Sequence, residues 1–146
     1  MIIYVDMDDV LCNYTSAYRE ALKNNPGILF PQSQYGFFLN LEPITNAIET
    51  VSIMRNSDKY TPYILTAPSI KNPFSYTEKR VWVEKFFGSD FVDKLIICSN
   101  KSLLKGDVLI DDNIEGKGQE DFKGQIIHFG SDQYHDWRAI QTELGL

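Results

Sequence analysis

Five short apolar runs punctuate the chain: Ile2 to Val5, Tyr63 to Leu65, Leu95 to Ile97, Val108 to Ile110, and Gln125 to Phe129. Within them hydrophobic residues follow one another rather than alternating with polar ones, the pattern of strands covered on both faces. Stretches with helical spacing lie between. Ile44, Ala47, Ile48 and Val51 recur at helical intervals after Pro43, a residue suited to a helix's first turn. Thr77 to Phe87 reads as a second helix stopped by Gly88, and Asp132 to Leu144 as a third ended by Gly145. Alternating strands and helices predict an α/β domain built on a mostly parallel sheet. Residues 23 to 42 break the rhythm. Asn24-Asn25-Pro26-Gly27 is turn chemistry, and Phe30, Tyr35, Phe37 and Phe38 then crowd together. That stretch is either a short lid above the first strand or aromatic filling at the sheet edge.

Composition narrows the function classes. In 146 residues, 14 Lys and Arg face 20 Asp and Glu, a formal net charge of −6. With no basic run, the chain lacks the footprint of a nucleic-acid polymer binder, while a small anionic ligand stays open. Hydrophobic residues at 43% and charged residues at 23% are those of a globular protein, and the length suits one domain, residues 1–146. The N-terminal apolar stretch ends at Asp6, too short for a signal-peptide core, and no long apolar run predicts a membrane span. Cys12 and Cys98 are expected as reduced, buried thiols, which points to the cytoplasm.

The chemistry gathers where ligands bind in open α/β sheets, beyond the carboxyl ends of the strands. The first strand ends in Asp6-Met7-Asp8-Asp9, the second in Thr66-Ala67-Pro68, and the fourth in Asp111-Asp112-Asn113; Ser99-Asn100-Lys101 follows the third. Each feature alone could be a polar turn or a helix cap. Together they imply carboxylates close enough to repel, a conflict removed by protonation or by a cation. Oxygen-only ligands select a hard ion such as Mg²⁺, which also coordinates phosphate oxygens. Thr66 could donate to a phosphate, and Lys101 or Lys79 could supply positive charge, with Lys105 a nearby competitor for Lys101. Asp6 and Asp8, two positions apart on an extended chain, would lean to one side. One could attack phosphorus while the other moves protons at the leaving oxygen. No chemistry attaches to His128 or His135. Trp82 and Trp137 read as packing, and Gly116-Lys117-Gly118 resembles a phosphate loop only superficially.

Taken in order, YVDMDDVL, YILTAP, a lysine and VLIDD resemble the haloacid dehalogenase superfamily of phosphohydrolases. DMDDVLCNY, FFLNLEPI, ILTAP, EKRVWVEKFFG and NKSLLKGDVLIDDN are most similar to the 5'(3')-deoxyribonucleotidases. The resemblance implies a Rossmann-like three-layer fold with a short, reduced cap, inserted around residues 23–42. It implies Mg²⁺-dependent hydrolysis of a small phosphomonoester, a (deoxy)ribonucleoside monophosphate, through an aspartyl phosphate. Asp6 would be the nucleophile and Asp8 the general acid/base. Asp6, the main-chain carbonyl of Asp8 and Asp112 would hold the metal, supported by Asp111. Thr66, Lys79 and Lys101 would bind phosphate, and Tyr14 would stand near the substrate.

The sequence departs from the family pattern at Asp9, where glycine is usual; Asp tolerates unusual backbone conformations, so the turn is expected to be kept. Ala67 removes one hydroxyl, Ser99 replaces an arginine, and the segment between Tyr14 and Phe37 is much shorter than the family's cap. Two alternatives stay open at this level: a phosphatase of the same superfamily for another small ester, and a non-enzymatic receiver-like phosphoacceptor domain.

Overall fold

Residues 1–146 are described by a computed structural model. Strands β1 (Ile2–Val5), β2 (Thr61–Thr66), β3 (Leu95–Ile97), β4 (Val108–Asp111) and β5 (Gln125–His128) form one sheet in the order β3-β2-β1-β4-β5, with every pairing parallel. Helices α1 (Tyr14–Asn24), α2 (Ala47–Arg55), α3 (Ser75–Phe87) and α4 (Trp137–Leu144) flank it. The architecture is the expected Rossmann-like α/β fold.

The continuous apolar runs are explained by cores on both faces of the sheet. Ile3, Val5, Ile64, Val108, Ile110 and Ile127 point into a cluster of 24 buried residues that also takes in α2, α3 and α4. Tyr4, Leu65 and Leu109 point the other way, into a four-residue cluster completed by Phe122, with Leu104 packed against it. The two faces are therefore unequally filled.

The chain winds outward from β1 through β2 to β3, then returns to add β4 and β5 on the other side. The crossover direction reverses between β1 and β4, and a crevice opens there at the strands' carboxyl ends. A hydrogen bond from Asp6 N to Ile110 O, 2.9 Å, sets the end of β1 beside the end of β4.

Several element boundaries differ from expectation. The helix after Pro43 begins only at Ala47, because residues 42–44 run extended against residues 11–13: Asn13 N donates to Glu42 O at 2.9 Å and Ile44 N to Leu11 O at 2.8 Å. The last helix starts at Trp137, not Asp132. Residues 130–134 are held in a turn by Gly130 N to Tyr134 O at 2.8 Å, and the Asp136 carboxylate caps α4 by accepting from Ala139 N at 2.9 Å. α1 lies outside the elements expected from the hydrophobic pattern; none of its residues is buried. Its start is fixed by Asp9, which takes the left-handed conformation (φ 57°) and whose carboxylate accepts from Thr15 N at 2.8 Å. The turn expected despite the missing glycine is thus kept. Gly88 ends α3 with φ 90°.

Residues 23–42 divide between the two readings of their aromatics. Phe38, Pro31 and Leu41 are buried, whereas Tyr35 and Phe30 are exposed. The buried Glu78 of α3 ties this segment down, accepting from Gly36 N at 2.7 Å and Phe38 N at 3.0 Å. Trp82 and Trp137 are both fully buried, and their indole N–H groups donate to Leu41 O and Val10 O. Both cysteines are free thiols; Cys12 is buried, but Cys98 is only partly so, short of the expected burial.

Candidate active site

The crevice between β1 and β4 contains a cavity of about 350 Å³. Asp6, Asp8 and Asp9 line it from beyond β1. Asp112, Asn113, Lys117 and Gln119 line it from beyond β4, and Tyr14, Thr15, Ala67 and Lys101 complete the lining. Asp6, Asp111 and Asp112 each place a carboxylate oxygen within 4.8 Å of the others. The Asp8 carboxylate stands outside that triplet.

Each acidic group has its own environment. Lys101, almost wholly buried, reaches Asp6 Oδ1 at 2.9 Å and Asp111 Oδ2 at 2.5 Å. Burial works against its charge, but the two carboxylates outweigh burial and hold its pKa above the usual lysine value. Asp111 is fully buried. Besides Lys101 it accepts from Asn113 N at 2.9 Å and Gln119 Nε2 at 3.2 Å. Burial and then Asp6 raise its pKa, with Lys101 opposing. Asp112 has no cation beside it. Burial first, then the Asp6 and Asp111 charges, push it up to about 7.

Asp8 is the second centre. Lys79, fully buried in α3, donates to Asp8 Oδ2, Thr66 Oγ1 and Ala67 O, each at 2.8 Å. Burial raises Asp8 above the ordinary carboxylate range, Lys79 opposes this, and Asp6 adds to it. Tyr14, the first residue of α1, is pushed up to about 12 by burial and by Asp8, so its hydroxyl keeps its proton.

The candidate residues therefore fall into two groups. Asp6, Asp8, Tyr14, Lys101 and Asp112 line the cavity, while Lys79 and Asp111 lie behind it and bond to Asp8 and Lys101, and Thr66 bonds in turn to Lys79. Lys105 contributes only its main-chain carbonyl, which accepts from the Tyr4 hydroxyl. Sequence reasoning misses Thr15, Lys117 and Gln119. Lys117 belongs to the Gly116-Lys117-Gly118 stretch set aside above, and its carbonyl accepts from Lys101 N at 2.7 Å, folding this loop back over the site. Gly118 makes the turn possible with φ 83°; a Cβ there would lie 2.0 Å from Asn100 Oδ1. The pair of glycines around Lys117 is the one sequence signal for it. His128, to which no chemistry was attached, places Nε2 3.0 Å from the main-chain oxygen of Asp112.

An all-oxygen donor set, in which one carboxylate lacks a cation and titrates near neutrality, fits a hard divalent cation.

Comparisons with known proteins identify the family. The sequence profile of the 5' nucleotidase, deoxy (pyrimidine), cytosolic type C protein family matches residues 28–141. A Vibrio phage KVP40 protein named as a 5'(3')-deoxyribonucleotidase is 32% identical across 98% of this chain and 84% of its own. The chain belongs to the 5'(3')-deoxyribonucleotidase family. The family is one of phosphoric monoester hydrolases within the haloacid dehalogenase superfamily. Other 5'(3')-deoxyribonucleotidases show the same likeness. The human cytosolic-type enzyme is 40% identical over 59% of this chain and 43% of its own, and the Bacillus subtilis (strain 168) protein is 27% identical over 98% of both. No helix is long and apolar enough to cross a membrane.

Proposed function

We propose that the chain is a Mg²⁺-dependent phosphomonoester hydrolase that acts on (deoxy)ribonucleoside monophosphates through an aspartyl phosphate on Asp6. The observation that carries the reading is the pairing of two unlike carboxylates in one cavity: Asp6 held by Lys101 beside Asp112, and Asp8 raised by burial and held by Lys79. Unequal environments give two carboxylates different proton tasks.

In the first half-reaction a carboxylate oxygen of Asp6 forms a bond to phosphorus as the ester oxygen departs. The Asp8 carboxyl gives its proton to that oxygen, so the organic product leaves as a neutral alcohol. In the second, Asp8, now a carboxylate, takes a proton from water. The water oxygen bonds to phosphorus, the Asp6–phosphate bond breaks, and inorganic phosphate is released. Lys101 orients Asp6 from the cavity wall and meets phosphoryl oxygens. Lys79 fixes Asp8. The Thr66 hydroxyl, buried behind the lining, accepts from Lys79 and so helps fix the ammonium that holds Asp8. Asp6, Asp112 and the main-chain carbonyl of Asp8 would hold Mg²⁺, with Asp111 in support. When bound, the ion offsets the repulsion between carboxylates and the phosphate dianion and stabilises charge during transfer.

We read residues 1–146 as one hydrolase domain with residues 23–42 as a short cap. Two free thiols suit a reducing compartment, and we place the protein in the cytoplasm.

The test is phosphate release from deoxyribo- and ribonucleoside 5'- and 3'-monophosphates, sugar phosphates and an aryl phosphate, with Mg²⁺ and with EDTA. Release from nucleotides that requires Mg²⁺ is expected. Release undiminished by EDTA removes the metal from the account, and release from sugar phosphates alone removes the nucleotide.

A further inference from the structure

Four hydrogen bonds close a ring beside the acidic cavity. Lys101 donates Nζ to Asp111 Oδ2 at 2.5 Å, and Gln119 donates Nε2 to the same oxygen at 3.2 Å. Gln119 Oε1 accepts from Lys117 N at 2.7 Å, and Lys117 O accepts from Lys101 N, also at 2.7 Å. The ring thus holds Lys101 by both ends, its ammonium through Asp111 and its main chain through Lys117. Gln119, Asp111 and Lys101 are all buried.

Building on the phosphomonoester reading above, we propose that Gln119 is a positioning residue: acting through Asp111, it keeps the Lys101 ammonium shared between Asp111 and Asp6, and so keeps the attacking carboxylate of Asp6 in place.

The residue type is the first support. A carboxamide carries a donor and an acceptor at one end. Its two partners here are a carboxylate, which needs a donor, and a main-chain N–H, which needs an acceptor. A position that only needed filling would take an apolar side chain, because a buried amide must recover the cost of leaving water.

The second support is the division of charge around Lys101. Its Nζ lies 2.9 Å from Asp6 Oδ1 and 2.5 Å from Asp111 Oδ2, so two carboxylates compete for one ammonium. Lys101 is the one charged partner of Asp6. Asp111 has two further donors, Asn113 N on Oδ1 at 2.9 Å and Gln119 on Oδ2. Without Gln119, Asp111 Oδ2 depends on Lys101 alone. The ammonium is then drawn toward Asp111, and Asp6 loses the contact that orients it.

Closure of the ring is the third support. A buried polar network with every member satisfied is rigid. Rigidity matters at a nucleophile, where a displacement of about 1 Å can cost roughly 10²-fold in rate.

The experiment measures kcat and KM for p-nitrophenyl phosphate in the Mg²⁺-loaded wild type, Gln119→Met and Gln119→Asn. Methionine keeps the length of the side chain and removes both bonds. Asparagine keeps the amide but, one methylene shorter, does not reach both partners. In each variant kcat is expected to fall by about tenfold, equivalent to about 1.4 kcal/mol, with a smaller rise in KM. A loosened loop that left Asp6 in place would act on KM alone. The second readout needs neither metal nor ester. Hydrogen exchange of the ¹⁵N-labelled Lys101 ammonium, assigned by its loss in Lys101→Met, is followed by NMR in the metal-free protein. It is expected to be about tenfold faster in both variants. A kcat within about twofold of wild type in both variants, a change confined to KM, or unaltered exchange at Lys101 overturns the proposal. Should Gln119→Met fail to fold, Gln119→Asn decides alone. If the wild type hydrolyses no ester yet exchange at Lys101 quickens in the variants, the phosphatase reading falls and the role of Gln119 in holding Lys101 on Asp6 stands.

Discussion

Replacing Lys79 with methionine removes the ammonium paired with Asp8 while keeping most of the side-chain volume. Its Nζ donates to three acceptors, Asp8 Oδ2, Thr66 Oγ1 and Ala67 O, each at 2.8 Å, and also lies 4.9 Å from the centre of the Phe38 ring. Removing one partner of a buried ion pair costs about 3–5 kcal/mol, because the other charge is left stranded. The Asp8 side chain keeps 27% of its surface open, so solvent recovers part of that loss and the low end of the range applies, about 3 kcal/mol. The pH dependence has a definite sign. Burial already raises Asp8 in the wild type against the pull of Lys79, and without the lysine its folded pKa climbs further. A carboxyl whose folded pKa exceeds its unfolded value, about 3.9, stabilises the fold below that value, and the contribution is lost as pH rises through the folded pKa. Urea unfolding of the variant and wild type in EDTA therefore shows the full deficit near pH 8 and a much smaller one near pH ~4. A deficit below about 1 kcal/mol at pH ~8, in the range of an exposed pair, or one that does not change with pH, would mean that Lys79 and Asp8 do not form a desolvated ion pair.

Other perturbations test other parts of the account. In the metal-free protein Asp112 titrates at about 7, raised from its unfolded value, so stability falls as pH rises through that range; Mg²⁺ is expected to raise Tm more at pH ~8 than at pH ~5 in scanning fluorimetry, and equal shifts would count against Asp112 as a ligand. Glu78→Gln keeps one acceptor but turns an NH₂ toward a main-chain N–H in the clamp on Gly36 and Phe38. It should cost about 1–3 kcal/mol in urea unfolding and speed proteolysis within residues 23–42, so wild-type resistance would show that the clamp does not hold this segment. Gly118→Ala places a Cβ at a φ of 83° and 2.9 Å from Ser102 N. A loss of about 1–3 kcal/mol is expected from the strain, together with reduced phosphatase activity as the loop on Lys101 shifts, and unchanged activity would separate that loop from the site.

What can be read from the sequence is local chemistry and strongly patterned burial. The central strands are legible because residues such as Ile3, Tyr4 and Val5 are all buried, on opposite faces, which leaves no polar position to interrupt the run; β3 is legible because Leu95, Ile96 and Ile97 are all apolar although only partly buried. The acidic strand ends are legible because the sheet gathers carboxyl termini on one edge. α1 is not, since Tyr14, Ala17, Tyr18, Ala21 and Leu22 have helical spacing but none is buried, so the apolar signal stays weak. The start of α2 is displaced from Pro43 by pairing with residues 11–13, a contact between distant parts of the chain. The places of Lys117 and Gln119 depend on hydrogen bonds to Lys101 and Asp111, and local composition carries no record of those. Asp9 is the instructive intermediate. The residue type is compatible with a left-handed turn, but the link from its carboxylate to Thr15, which starts α1, appears only once the chain is folded.

The proposed reaction turns on a covalent bond between phosphorus and Asp6. An aryl phosphate labelled with ³²P suits the test, because its phenolate leaves without a proton from Asp8. In Asp8→Asn the second half-reaction lacks its base, so label should accumulate on the protein, be removed by hydroxylamine, and map by mass spectrometry to Asp6, with none retained by Asp6→Asn. Phosphate released from the aryl ester by Asp6→Asn at the wild-type rate, or label found on any other residue, contradicts the account.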